Sequence, residues 1–172
     1  LLALAVGLTA RAFLAATHGV GALLERLVRP PLVRPFLGGV AVLALLVAAH
    51  STRYLGLGVP GILEALSTGE VPPLAFAWKL AFTAVTVGSG FLGGEVTPLF
   101  FIGAHLGHTL AAPLGLPVVA ASVVGLAALF GAASRSPLAL AVMACELSGP
   151  EVLPYAVAVG LIATWLTGRQ SL

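Results

Sequence analysis

Apolar residues along this chain form long runs that contain almost no charged positions, and most of the runs have the length of a helix. The first run covers 1–24, which is enough for a membrane helix because roughly 20 residues cross a hydrocarbon core of about 30 Å. A stretch at 58–69 is predicted to be a helix that is too short to span. The remaining predicted helices lie at 36–49, 74–87, 97–115, 118–133, 137–149 and 151–168.

Several of these segments are too short to span a bilayer by themselves, and Gly or Pro interrupts nearly every junction. At membrane depth, broken or re-entrant helices persist only where protein buries them or where they line a polar cavity. The chain also contains 21 Gly, which suits closely packed helices. We therefore expect an all-α, polytopic membrane protein with tilted, short and re-entrant helices, in a single transmembrane domain over 1–172.

The composition excludes a water-soluble domain. Of the 172 residues, 59% are hydrophobic and 8% are charged, whereas soluble domains carry roughly 25% charged residues. The 6 acidic side chains are all Glu and are too few to cover a solvated surface. The net charge of +2 is too small and too dispersed for a nucleic-acid partner, so the lipid bilayer is the expected surrounding.

The basic residues and the ends of the chain predict its orientation and its context. Arg26, Arg29 and Arg34 lie in one short loop after the first segment, and the positive-inside bias predicts that this loop is cytoplasmic. The chain opens on Leu1 within an apolar run and closes soon after "WLTG". We expect it to be a piece of a longer protein.

A glycine-rich stretch, "TVGSGFLGGEVTP" at 86–98, contains a G-x-G-x-x-G pattern. A dinucleotide-binding turn needs a strand before it, a helix directly after it and an acidic residue about 20 positions on. No acidic residue lies between Glu95 and Glu146, and Pro98 falls where that helix would already be running. The pattern is better explained as the entry to a helix that starts near Pro98.

Thr97 is predicted to cap this helix, and Pro98 suits its first turn because a missing N–H has no cost there. The preceding residues then lie at the positive end of the helix dipole, where unpaired amides bind an anion without a full positive charge. Glycine also lets the backbone approach a ligand closely. The predicted anion-binding residues are Gly93, Gly94, Glu95, Val96 and Thr97.

The stretch "GSGFLGGEVTPLFFIGAHLG" resembles the G-x-F-x-P region of the CLC family of chloride channels and anion/proton antiporters. The upstream "GVPGILEAL" and the later "R-S-P-L" helix start follow the same family's order, so the resemblance covers almost the whole chain. It implies the second of two inverted repeats of a homodimeric protein in a bacterial-type plasma (inner) membrane. It also implies that the family's gating Glu and pore Tyr lie outside this chain.

Two residues depart from the family's usual motif, since Val96 stands at its Phe and Glu95 at the neighbouring aliphatic position. The pattern "GEVTP" resembles the fluoride-exporting subgroup, which implies a fluoride/proton antiporter. One alternative is a voltage-gated-type chloride channel of the same family. The other is a membrane scaffold fragment that does not transport.

Glu95 is the candidate for proton coupling, because an ionisable group at membrane depth beside an anion site is expected to be functional. A bound anion favours the protonated carboxyl, which can then donate a hydrogen bond to that anion. Fluoride gains most from such a donor, since it is small and costly to dehydrate. The alternative is a carboxylate that only faces an aqueous vestibule.

The other polar residues are given packing roles. Lys79 is expected to pair with an acid or with a helix C-terminus. His105 and His108 lie on one helix without further ligands nearby, so no metal site is predicted, and His108 is expected to pack. The sequence supplies no nucleophile with a base and no paired carboxylates, so neither an enzyme, nor catalytic residues, nor a cofactor is predicted.

Overall fold

The computed structural model describes residues 1–168 and 171–172, and this part of the chain is helical and contains no strand. The predicted all-α fold is thereby confirmed. Two 3₁₀ turns, at Thr52–Tyr54 and Pro150–Val152, accompany the helices. The α-helices of the described residues are, in chain order, α1 Leu2–Leu27, α2 Val33–Ala49, α3 Val59–Ala65, α4 Ala75–Gly88, α5 Val96–Leu114, α6 Val118–Ala133, α7 Pro137–Ser148 and α8 Leu153–Thr167.

The helices differ in length in the way that the apolar runs predicted. Leu2–Leu27 and Pro150–Thr167 are long and apolar enough to cross a membrane. Helices α2, α4, α6 and α7 are also apolar but have only 17, 14, 16 and 12 residues. Helix α3 has 7 residues and, as predicted, cannot span.

Helices α5 and α6 form the centre of the bundle. Almost every residue of α6 from Ala121 to Ala133 is buried, and α5 is buried from Leu99 to Gly107 apart from Phe100. Helices α1, α7 and α8 pack around this pair, while α2 lies outside it against α4 and buries only Gly38. The start of α5 therefore lies beside the best-packed part of the molecule.

Three glycines allow α5 and α6 to touch through their backbones. A Cβ atom on Gly103 or Gly107 of α5 would overlap the backbone of α6, at Gly125 and Ala121 respectively. A Cβ atom on Gly125 would in turn overlap the carbonyl oxygen of Gly103. Because these positions carry only hydrogen, the two helices approach more closely than larger side chains would allow.

We predict that Gly125→Ala destabilises the protein by about 1–3 kcal/mol, because the added methyl group must force two packed backbones apart. Gly19→Ala is the matched control. Gly19 also lies within a helix, but no atom lies within 4 Å of its Cβ position, and Ala is the better helix former. Thermal unfolding in detergent measures the difference, and a Gly125→Ala melting temperature equal to that of the wild type would contradict this packing.

Candidate anion site

The candidate site lies in the loop between α4 and α5, so a helix precedes its glycines. Helix α4 ends at Gly88, and the Ser89 hydroxyl donates to the carbonyl oxygens of Val85 and Thr86 at 2.6 and 3.0 Å. Gly90 follows with a φ of 93°, a left-handed conformation that favours glycine. Because no strand leads into this loop, it is not a dinucleotide-binding turn, as the sequence predicted.

Helix α5 begins one residue before Thr97, so the prediction that Thr97 caps it is wrong. Glu95 is the last residue before the helix, and no side chain caps this end. Its φ and ψ of −93° and −11° are already helical, and its carbonyl oxygen accepts the first helical hydrogen bond, from the Leu99 N–H at 3.1 Å. Pro98 lies in the first turn as predicted, and the Thr97 hydroxyl is not used as a cap.

The amides at this helix start are available for a ligand. Over the described residues, no carbonyl oxygen accepts a hydrogen bond from the N–H of Val96 or Thr97, and Pro98 has no N–H. First-turn amides point out of the helix along its axis and carry its positive partial charge. The donors that the predicted anion site needs are therefore in place, while anion binding itself stays a prediction.

Gly93 and Gly94 line a cavity of about 240 Å³ that runs beside α4. No atom lies within 4 Å of the Cβ position of either glycine, so their missing side chains leave open space. The other walls of the cavity include Lys79 and Thr86 of α4 and Pro98 of α5. The backbone of the two glycines thus faces a space in which a small ion can lie.

The Glu95 side chain lines a different cavity. It is half-buried and borders a cleft of about 410 Å³ together with Thr17, His18 and Glu25 of α1. The Thr17 hydroxyl oxygen is buried and has no hydrogen-bond partner among the residues that the structure describes. Three polar residues of one helix therefore line the same cleft as Glu95, and one of them has an unused hydrogen-bonding group.

The five predicted site residues are thus contiguous in the chain but do not face one space. Gly93 and Gly94 face the cavity beside α4, whereas Glu95 faces the cleft beside α1. Val96 is exposed and Thr97 is half-buried, and neither residue lines either cavity. Gly94, which lines the cavity, and Glu95, which lines the cleft, are adjacent residues in the chain.

Lys79 belongs to the cavity wall, and the sequence reasoning did not assign it there. Its Nζ donates to the carbonyl oxygens of Tyr54 and Gly56 at 3.0 and 2.6 Å and lies 5.5 Å from the centre of the Phe101 ring. Tyr54 is the last residue of a 3₁₀ turn, so of the two expected partners the structure shows the carbonyl end of a helical turn. The sequence feature that could have indicated this role is a single cation isolated in an apolar helix.

The two histidines of α5 both contact neighbouring carbonyl groups. The Nδ1 atom of His108 lies 2.9 Å from the Ala65 carbonyl oxygen at the end of α3, which agrees with the predicted packing role. His105 is buried, stacks on the Phe101 ring and places its Nδ1 atom 3.0 Å from the Phe101 carbonyl oxygen. These contacts join α5 to α3 and orient the Phe101 ring, which makes the cation–π contact with the Lys79 ammonium.

Short apolar helices packed around a helix start whose first amides have no carbonyl partner are typical of membrane transport proteins. A family model described as "Voltage gated chloride channel" matches residues 1–168. The chain belongs to this family, which confirms the resemblance seen in the sequence. Since the family is membrane-embedded, the apolar helices lie in a bilayer.

The chain is similar to several known members. The chloride/fluoride channel protein of Pseudomonas syringae pv. tomato is 42% identical over 173 residues, covering 96% of this chain and 37% of that protein. A putative chloride channel protein ClcB-like of Ralstonia nicotianae is 34% identical over 148 residues, covering 81% of this chain and 33% of that one. The crystal structure of a CLC-type fluoride/proton antiporter is 33% identical with a TM-score of 0.93, over 99% of this chain and 43% of its own. This chain therefore spans less than half the length of these relatives.

Proposed function

We propose that this chain forms the second-repeat part of a proton-coupled fluoride antiporter in a bacterial plasma membrane. The observation that carries the proposal is Glu95, an ionisable residue placed directly before the unpaired amides of Val96 and Thr97. The similarity to a CLC-type fluoride/proton antiporter supports it. The relatives named as chloride channels make a chloride channel the second candidate.

In this proposal the anion is bound by backbone amides at the start of α5. Amides at a helix start supply partial positive charge and hydrogen-bond donors to an anion. Gly93 and Gly94 add backbone that an anion in the cavity beside α4 can approach without steric hindrance. The site prefers fluoride when the protonated Glu95 carboxyl, next to these amides, replaces part of the ion's hydration shell.

Glu95 carries the proton in this proposal. Its carboxylate borders the cleft with His18 and Glu25, through which water or these side chains can exchange protons with it. An anion that arrives at the neighbouring amides favours the protonated form of the carboxyl, and departure of the anion favours release of the proton. Fluoride and proton occupancy are therefore linked at one short segment of backbone.

We predict that Glu95→Gln keeps fluoride binding but slows or uncouples proton-linked fluoride movement, because the amide can donate a hydrogen bond but cannot release a proton. Glu95→Ile is predicted to reduce the preference for fluoride over chloride. The flux of both ions and the accompanying pH change are measured in liposomes that contain the full-length protein. The control is Glu70→Gln, which neutralises an exposed glutamate in the loop before α4.

Wild-type flux, selectivity and proton coupling in both Glu95 variants would show that Glu95 is a bystander. Wild-type protein that conducts chloride without any linked proton movement would instead support the chloride channel. The two results are distinguishable because the first concerns the variants and the second concerns the unmodified protein.

Residues 1–172 in isolation are expected to lack part of the ion path. They supply the start of α5 but cover only 37% of the length of the Pseudomonas syringae relative, so other segments are expected to form the opposite wall of the ion path. We predict that liposomes containing this chain alone release no fluoride beyond the leak of empty liposomes. Fluoride-selective release by the chain alone would contradict its proposed place as one part of a two-repeat transporter.

The proposed homodimer is expected to use the outer face of α8. Leu161 and Trp165 are one helical turn apart on this face, and they are 47% and 80% exposed. Leu161→Arg and Trp165→Arg are predicted to reduce dimer formation, measured by cross-linking in detergent. The matched control is Leu63→Arg, because Leu63 of α3 is an equally apolar residue with 65% exposure. Equal loss of dimer in all three variants would argue against this interface.

A further inference from the structure

We propose that Lys79 is the positive charge that attracts halide ions into the cavity beside α4. Its side chain is only 1% exposed. Over the described residues, the ion pairs join Arg34 to Glu25 and Arg53 to Glu64, and no carboxylate lies within 4.0 Å of the Lys79 ammonium. This inference rests on the proposed function and adds to it a residue that sets anion affinity.

The surroundings of Lys79 favour a cation but do not neutralise it. An ammonium group has three N–H donors, and two of them are bound by the carbonyl oxygens of Tyr54 and Gly56. The Phe101 ring, 5.5 Å away, adds a cation–π contact. Over the described residues the third donor has no hydrogen-bond partner, and the full charge is compensated only by dipoles. Because an isolated buried charge is costly, an anion in the same cavity is the missing counter-ion.

The fold keeps room for this ammonium group. Gly58 has a φ of 78°, and a Cβ atom there would lie 3.3 Å from Lys79 Nζ and 2.8 Å from the Phe101 ring. A side chain at this position would therefore push against both the cation and the ring beneath it. The backbone around Gly58 thus leaves room for the charged group in the wall of the cavity.

The distance to the glycine loop indicates how large the effect should be. Lys79 and Thr86 both line the cavity, and seven residues of helix separate them by roughly 10 Å along the axis. The loop with Gly93 and Gly94 follows the end of α4 beyond Thr86. At about 10 Å and an effective dielectric constant of about 20, one unit charge changes halide affinity roughly tenfold.

The test is calorimetric titration of the purified full-length protein with sodium fluoride and with sodium chloride. Lys79→Met is expected to weaken the binding of both halides roughly tenfold, and the ratio of the two affinities should stay constant because both ions carry one charge. Lys79→Arg should bind nearly as the wild type does, since it keeps the charge. The matched control is Arg53→Met, which should bind as the wild type because Glu64 already pairs that exposed cation at 3.1 Å.

Wild-type affinity for both halides in folded Lys79→Met would overturn the inference and leave Lys79 as an anchor for the 54–57 loop. A change in the fluoride-to-chloride ratio would also overturn it. If Lys79→Met does not fold, Lys79→Gln keeps a donor for the carbonyl oxygens and is judged by the same two results. If neither folds, a folded Lys79→Arg that binds halides tenfold more weakly decides against the charge. Wild-type protein that binds neither halide would contradict the proposed function itself.

Discussion

The backbone contact between α5 and α6 is the constraint on which the site depends. Gly103, Gly107 and Gly125 bring the two helices so close that few relative positions avoid overlap. The axis of α5 is fixed by this contact, and its first turn is held toward the α4–α5 loop. Because the influence of a helix dipole falls off within the first turn, a small displacement of α5 would weaken its attraction for an ion near its first amides.

Around this fixed helix start, the molecule separates charges of opposite sign. The Lys79 ammonium borders the cavity beside α4, and the Glu95 carboxylate borders the cleft beside α1. A direct ion pair between them would neutralise both groups and leave neither available to an ion or a proton. In the proposed antiporter the anion enters from the Lys79 side and the proton from the Glu95 side. The cavity and the cleft are linked in the chain at Gly94 and Glu95, which are adjacent residues.

Local sequence signals predicted the fold well, because apolar runs and Gly or Pro junctions act over a few residues. The run at 118–133 corresponds to α6 without a shift. The start of α5 was misplaced because Thr97 satisfies a capping rule, whereas the helical angles of Glu95 decide where the helix begins. The contacts of Lys79 with Tyr54 and of Glu95 with the cleft beside α1 join residues far apart in the chain, so they follow from helix packing and no short motif indicates them.

Locating bound fluoride tests most directly whether the first amides of α5 bind the anion. Fluorine–nitrogen dipolar coupling is measured by solid-state NMR on the full-length protein, with isotope-labelled amide nitrogens and added fluoride. We expect coupling from Val96 and Thr97 that corresponds to hydrogen-bond distances of about 3 Å, and none from the amide of Gly19, which lies within α1. Saturating fluoride without coupling to the α5 amides would contradict the proposed site.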